Sequence, residues 1–142
     1  MQSPLTRKGK GDLAEFKVAC DLVARGYSVA IPFGEDCDFD LVLLRDGKLE
    51  RVQVKYSTSS NGVIAVRCKS HSLTNGKIRR TKHYTAATID WLAVYDPTTD
   101  RCFYLGAEEL GAGRSIIHLR LTPTRNSQSS GIRYAENYVS LP

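Results

Sequence analysis

The sequence has no acidic residue between Glu50 and Asp90, although this interval carries eight basic side chains. Residues 1–56 balance nine basic side chains against nine acidic ones, so the net charge of +5 arises entirely in residues 57–142. A basic region beside a balanced half is typical of proteins that bind a phosphate backbone. A solvated basic surface would give the same count, so charge alone leaves that alternative open.

The sequence also has no long apolar run. Its longest runs, such as Trp91–Tyr95 and Leu41–Leu44, are only as long as a strand, which excludes a membrane-spanning helix. The basic N-terminal segment is not followed by the apolar stretch that a secretory signal requires. Together with 42% hydrophobic and 25% charged residues, these absences predict a soluble cytoplasmic protein.

Two further absences exclude common kinds of site. No Cys-x-x-Cys pair occurs, and no histidine stands near a cysteine at the spacing of a zinc finger. The isolated histidines form no Ser-His-Asp or Cys-His arrangement that spacing supports. We therefore expect the four cysteines to be reduced and structural, and these are Cys20, Cys37, Cys68 and Cys102.

The length of 142 residues fits a single domain, and the first predicted element in it is a helix. This helix covers Gly9–Arg25, and Gly26 follows as a stop signal. Its apolar residues at helical spacing are Leu13, Phe16, Cys20 and Val23.

Strands dominate the rest of the chain. Asp46 and Gly47 form a strong tight-turn dipeptide between two of them. Residues 70–82 are polar and poorly periodic, which indicates a loop or arm rather than core. One helix followed by many strands predicts an α/β or α+β domain with a mixed sheet and few helices. The predicted strands are Tyr27–Pro32, Phe39–Arg45, Leu49–Tyr56, Val63–Lys69, Ile89–Tyr95, Cys102–Leu105 and Ser115–Leu121.

Three polar residues converge in the hairpin around Asp46-Gly47. Asp40 enters the first strand, and Gln53 and Lys55 lie two residues apart on the second. Alternation along a strand places Gln53 and Lys55 on one face and the neighbouring valines on the other. An acid that enters an apolar strand is costly without a partner, so we expect these groups to form a site.

This set of residues suits a divalent metal. Mg²⁺ prefers oxygen ligands and keeps several waters, so one or two carboxylates suffice to hold it. Asp40 can supply a carboxylate and Gln53 a carbonyl oxygen without a negative charge. Lys55 can orient an attacking water or stabilise charge on a phosphate, and nearby acids would keep it protonated.

The arrangement Asp40…Gln53-Val54-Lys55 resembles the PD-(D/E)XK nuclease superfamily, with Gln in place of the usual acid. In that family a preceding helix often presents a glutamate to the same site, and Glu15 in GKGDLAEFKVACDLVARGY fits this place. The Gln variant is similar to that of small group I intron homing endonucleases. The proline that names the motif is absent, and Asp36 and Asp38 compete with Asp40 for the acidic role, although spacing favours Asp40.

The resemblance implies a restriction-endonuclease-like core over about residues 9–110 of a single domain, residues 1–142. It implies catalysis by Glu15, Asp40, Gln53 and Lys55, with Mg²⁺ or Mn²⁺ held by the first three. It also implies cleavage of double-stranded DNA, which needs a homo-oligomer, a dimer or a tetramer, because one site cuts one strand. A junction-resolving nuclease, an RNA-directed nuclease and an inactive DNA-binding module remain open, the last because Gln53 removes a negative charge from the metal site.

Two segments outside the catalytic hairpin suggest contacts to nucleic acid. Residues 69–84 form a basic arm, and residues 122–133 form a polar C-terminal loop. Basic side chains of this kind bind phosphates and fix the register of a protein on DNA. The residues predicted to contact nucleic acid are Arg67, Lys69, Lys77, Arg79, Arg80 and Lys82.

Overall fold

The computed structural model of the chain describes residues 3–34, 36–74, 77–124 and 130–142, without the side chains of residues 71–79. Residues 125–129 of the predicted C-terminal loop lie outside this description. Short 3-10 turns cover Ala107–Leu110 and Ala135–Tyr138. The helix and strands are α1 (Arg7–Ala24), β1 (Ser28–Ala30), β2 (Leu41–Arg45), β3 (Lys48–Tyr56), β4 (Val63–Arg67), β5 (Lys69–Thr74), β6 (Lys77–His83), β7 (Trp91–Asp96), β8 (Arg101–Gly106) and β9 (Ile116–Arg120).

A five-stranded mixed sheet forms the centre of the fold, in the order β1-β2-β3-β7-β8. Strands β3 and β7 are parallel, and the other neighbours are antiparallel. The predicted turn joins β2 to β3, since Arg45 pairs with Lys48. Asp46 (φ 50°) and Gly47 (φ 70°) both adopt positive φ, as a type I′ turn requires. The mixed sheet with one long helix confirms the predicted α+β fold class.

Helix α1 packs on one face of this sheet, but not through the stripe expected from the sequence. Its buried residues are Ala14, Val18 and Leu22, whereas Phe16 is 75% exposed and Val23 57% exposed. Cys20 is exposed as well. The predicted helix is therefore right, but of its predicted apolar face only Leu13 packs against the core, partly buried. The buried residues instead recur at intervals of four along the neighbouring stripe.

The opposite face of the central sheet is covered by a second, two-stranded sheet of β4 and β9. The inner residues Ile64 and Val66 of β4 join Ile117 and Leu119 of β9 in one buried cluster with β7 and β8. Buried residues therefore extend past position 110, the boundary expected for the core. The central sheet is covered on both faces, which explains why β7 and β8 are almost continuously apolar.

The basic arm is a β-hairpin. Strands β5 and β6 pair only with each other, with a register shift between Ser72 and Leu73. The expectation of a loop or arm missed these strands because a hairpin without a core-facing side shows no apolar alternation. The hairpin therefore projects from the two packed layers.

The four cysteines are free thiols, as predicted. Only Cys68 is buried, while Cys20 and Cys37 are exposed, so a packing role holds for Cys68 alone among these three. Within the residues described, no helix has the length and apolar character needed to cross a membrane.

A pair of valines in α1 tests which helix face is buried. We expect Val18→Ala to lower the free energy of unfolding by about 2 kcal/mol, because it removes buried methyl groups and leaves a cavity. At concentrations where the chain is monomeric, the matched change Val23→Ala should stay within about 0.5 kcal/mol of the unsubstituted protein, since that side chain is exposed in the single chain. Urea unfolding followed by circular dichroism measures both, and equal losses would contradict the helix orientation.

Candidate active site

Asp40 lies where the chain enters β2, across from the middle of β3. Its backbone N–H donates to the Val52 carbonyl at 2.9 Å, and its Oδ2 accepts from the Val54 N–H at 3.0 Å. These two bonds fix the carboxylate beside Gln53, which lies between the two valines. Burial raises the pKa of Asp40, while the Val54 hydrogen bond and the Lys55 ammonium oppose that effect.

Gln53 and Lys55 lie on the face of β3 opposite to Val52 and Val54, as the alternation predicted. The two valines pack under α1. The Gln53 Nε2 donates to the Val54 carbonyl at 3.3 Å, which leaves the amide oxygen as the atom that can bind a metal. The amide therefore completes the polar side of the hairpin without adding charge.

Lys55 is held in a partly buried place at the root of the basic arm. Its Nζ donates to the Lys69 carbonyl at 3.2 Å and lies 5.0 Å from the ring centroid of buried Tyr84. Burial lowers the pKa of Lys55, Asp40 raises it, and Arg67 lowers it further. The sequence predicted that nearby acids keep this lysine protonated, and Asp40 does raise its pKa. Burial is the larger influence, and it lowers the pKa.

Glu15 extends from the third turn of α1 toward the same place. Desolvation by burial, and then the Asp40 and Asp12 carboxylates, raise the pKa of Glu15 to about 7. Among the residues described, its carboxylate has no hydrogen-bond or ion-pair partner. Glu15 and Asp40 therefore form a pair of partly desolvated acids whose charges repel each other.

Such a pair fits a divalent cation, since a positive ion would relieve the repulsion and replace lost hydration. The donor set is two carboxylates and one amide oxygen. No cluster of three or more His, Cys, Asp or Glu side chains suited to a metal occurs in the described part of the chain, so any cation here would rely on the Gln53 oxygen as well. Oxygen ligands alone favour a hard ion such as Mg²⁺ or Mn²⁺ over zinc.

The competing acids are placed differently. Asp38 forms an ion pair with Lys82 of β6, in which its Oδ1 lies 2.5 Å from the Lys82 Nζ. Asp36 is exposed in the loop before β2. Of the three aspartates, Asp40 is the one that interacts electrostatically with both Glu15 and Lys55.

The predicted nucleic-acid contacts lie on β4 and the arm. Arg67 and Arg80 are exposed, and Lys69 is half-buried at the base of β5. Lys77 and Arg79 lie on β6, but their side chains are outside the description. These roles stay predictions, and Lys82 already has Asp38 as a partner.

Tyr84 lies beside Lys55, and the sequence did not predict this contact. It is 4% exposed, and its N–H donates to the Cys68 carbonyl at 3.0 Å. In the sequence Tyr84 is only a single aromatic residue after a basic run, which is a weak signal. Its contact with Lys55 spans 29 residues and depends on the arm folding back, so no local pattern predicts it.

The comparisons with known proteins identify the family and the fold of this chain. The family model for PD-(D/E)XK endonucleases matches residues 5–141. Among solved structures, the bacterial homing endonuclease I-Ssp6803I is 24% identical, with a TM-score of 0.75 and coverage of 94% of this chain and 88% of that one. Hjc, a Holliday junction resolvase from Archaeoglobus fulgidus, is 12% identical, with a TM-score of 0.48 and coverage of 78% and 84%. No curated protein matches the sequence significantly.

The likeness to I-Ssp6803I confirms the predicted restriction-endonuclease-like fold. The family match extends over nearly the whole chain, including α1, the central sheet and the β4–β9 layer. The chain belongs to the PD-(D/E)XK endonuclease family.

Proposed function

We propose that this endonuclease hydrolyses phosphodiester bonds of double-stranded DNA with Mg²⁺ or Mn²⁺, held by Glu15, Asp40 and the Gln53 carbonyl. The observation that carries the proposal is the pair of partly desolvated acids, Glu15 and Asp40, beside a half-buried lysine. Two carboxylates that repel each other destabilise a fold unless a cation binds between them, so this pair favours a cation site. The bound ion would polarise the phosphate and acidify a water molecule.

The protein groups have separate tasks in this scheme. Asp40 and Glu15 supply negative charge, and the hydrogen bond from Val54 fixes the orientation of Asp40. Lys55 places its ammonium group where it can orient the attacking water or stabilise charge on the phosphate. Its lowered pKa also suits proton exchange with that water, since less free energy is needed to remove the proton.

We propose site-specific cleavage as the form of this activity. The resemblance of the Gln53 motif to that of homing endonucleases supports it, and I-Ssp6803I is described as a homing endonuclease. Sequence-specific cleavage needs contacts beyond the scissile phosphate, and the basic arm begins next to Lys55, whose Nζ donates to the Lys69 carbonyl. A second candidate is an inactive DNA-binding module, because Gln53 leaves the metal site with two carboxylates.

Cleavage of plasmid DNA or of a cognate duplex in Mg²⁺ or Mn²⁺ tests the proposal. We expect Asp40→Asn and Lys55→Met to lower the cleavage rate at least about 100-fold, because the first removes a carboxylate that would hold the cation and the second removes the positive charge that would act at the scissile phosphate. The control Asp38→Asn should keep at least about half of the activity, since Asp38 pairs with Lys82 instead.

Two results would contradict the proposal in different ways. Equal activity of the Asp40 and Lys55 variants would show that the site is elsewhere. A protein that binds DNA but cuts no duplex, junction or cognate site would favour the inactive module.

The raised pKa of Glu15 predicts how stability depends on pH. Between its ordinary value of 4.5 and its folded value of about 7, the folded state binds more protons than the unfolded state. The free energy of unfolding in EDTA should therefore fall as pH rises from about 4.5 to 7. Glu15→Gln should remove this part of the fall, and saturating Mg²⁺ should reduce it in the unsubstituted protein, because the ion binds the charged form.

Urea titrations from pH 4.5 to 8 measure the difference between the two proteins, in which all other titrating groups largely cancel. A difference that does not change with pH would mean that Glu15 does not titrate in this range. That result would contradict the placement of Glu15 beside the Asp40 carboxylate.

We propose further that two copies assemble to cut both strands. The exposed apolar stripe of α1, formed by Phe16, Cys20 and Val23, offers surface that a second copy can bury. We expect Phe16→Glu to shift the protein toward the monomer in sedimentation equilibrium, and the loop change Phe33→Glu to have no such effect. A protein that is monomeric at tens of micromolar, with and without DNA, would refute the assembly.

A further inference from the structure

The second sheet joins two acid-free segments that are distant in the sequence. The interval from Glu50 to Asp90 supplies β4, and the interval from Glu109 to Glu136, which also has no acidic residue, supplies β9. These strands pair along their whole length, from Val63 opposite Arg120 to Arg67 opposite Ile116. Together β4 and β9 form one surface on which neither strand carries an acidic residue. The sequence of either segment alone does not show that this surface exists.

Alternation along the two strands divides their side chains into a buried row and an outward row, and the outward row also contains the apolar residues Ala65 and Ile116. Ile64, Val66, Ile117 and Leu119 are buried against the central sheet. The outward residues include Arg67 on β4, and His118 and Arg120 on β9. We call this outer surface, with Arg114 just before β9, the ribbon face. It presents cationic and hydrogen-bond-donating groups without acids on either strand.

A groove of about 410 Å³ runs along β9 on this face, between the strand and residues 131–133. The backbone N–H of Arg120 donates to the Arg133 carbonyl at 2.8 Å, which fixes residues 131–133 as one wall of the groove. The guanidinium of Arg133 is paired with Glu109, with its Nε 2.6 Å from the carboxylate. Among the residues described, Arg67, Arg114 and Arg120 form no ion pair, so their charges remain available to a ligand.

The ribbon face is continuous with the candidate active site. The Lys55 Nζ donates at 3.2 Å to the carbonyl of Lys69, which lies two residues after Arg67. The backbone N–H of Cys68 donates to the Ser115 carbonyl at 2.9 Å, which joins this end of β4 to the start of β9. One end of the ribbon therefore lies at the catalytic lysine. From Arg67 to Val63 the strand runs four residues, or about 13 Å at 3.3 Å per residue.

This length matches about four base pairs of duplex, which rise 3.4 Å each along one strand. We infer that the ribbon face binds the phosphate backbone of the duplex flanking the scissile phosphate, over about four base pairs, through Arg67, Arg114, His118 and Arg120. The inference rests on the proposed function for its choice of ligand. A phosphate backbone carries negative charges that repeat along a line. Such a ligand requires a row of positive side chains and no acidic side chain from the protein, which is what this face offers.

Binding of a 30-base-pair duplex in EDTA, measured by fluorescence anisotropy over a range of salt concentrations, tests the inference. The variants Arg114→Gln and Arg120→Gln should each weaken binding by about tenfold at moderate salt. Each should also lower the slope of log affinity against log salt by about 0.9, and the double variant by about 1.8. Thermal melting checks that each variant is folded.

Lys48→Gln is the matched control, since it removes one exposed positive charge at the other end of β3, about 23 Å from Lys55 along the strand. It should leave both affinity and salt slope nearly unchanged. Single-turnover cleavage at saturating protein should also stay within about twofold of the unsubstituted rate for Lys48→Gln, because Lys48 belongs neither to the catalytic set nor to the ribbon face.

The outcomes separate this inference from the proposed function. If the protein cuts DNA and the arginine variants bind with unchanged affinity and slope, the ribbon inference is wrong while the nuclease proposal stands. If the protein binds DNA through these arginines but never cuts it, the nuclease proposal is wrong and the ribbon inference stands. A protein that neither binds nor cuts any DNA overturns both.

Discussion

The two-residue turn at Asp46 and Gly47 sets which residues of β2 and β3 face each other, and the polar site depends on that register. Asp40 reaches β3 at the level of Gln53 only because Arg45 pairs with Lys48. A slip of one residue would turn Gln53 and Lys55 into the apolar layer under α1 and bring Val52 and Val54 out. The burial of those valines beneath the helix therefore holds this register as much as the turn does.

The central sheet separates two layers with different tasks. On one side α1 closes a small apolar core and carries Glu15 toward Asp40. On the other side the β4–β9 sheet closes a larger core and carries basic residues on its outer face. Lys55 lies between acidic and basic groups, with Asp40 raising its pKa and Arg67 lowering it. A phosphate that approaches from the β4–β9 side would meet basic side chains first. It would reach Glu15 and Asp40 only where a bound cation can screen their negative charge.

Local patterns predicted the elements well where the residues pack in regular alternation. The faces of β3 and the turn before it followed from such alternation. The buried side of α1 did not, because Phe16 and Val23 are more apolar than Ala14 and share the same helical spacing. Which stripe is buried depends on how closely the helix approaches the sheet, and this is a tertiary property. The pairing of β4 with β9 and the contact of Lys55 with Tyr84 join distant segments, so no local pattern contains them.

The central claim is that Glu15, Asp40 and Gln53 form one cation site without a third carboxylate. A crystal structure of the Mn²⁺-soaked protein, phased on the anomalous signal of the metal, tests it most directly. The account predicts one manganese peak at about 2.0–2.3 Å from an Asp40 oxygen and the Gln53 carbonyl oxygen, with Glu15 bound directly or through water. A peak on Asp36 or Asp38, or no peak between Asp40 and Gln53 at millimolar Mn²⁺, would contradict it.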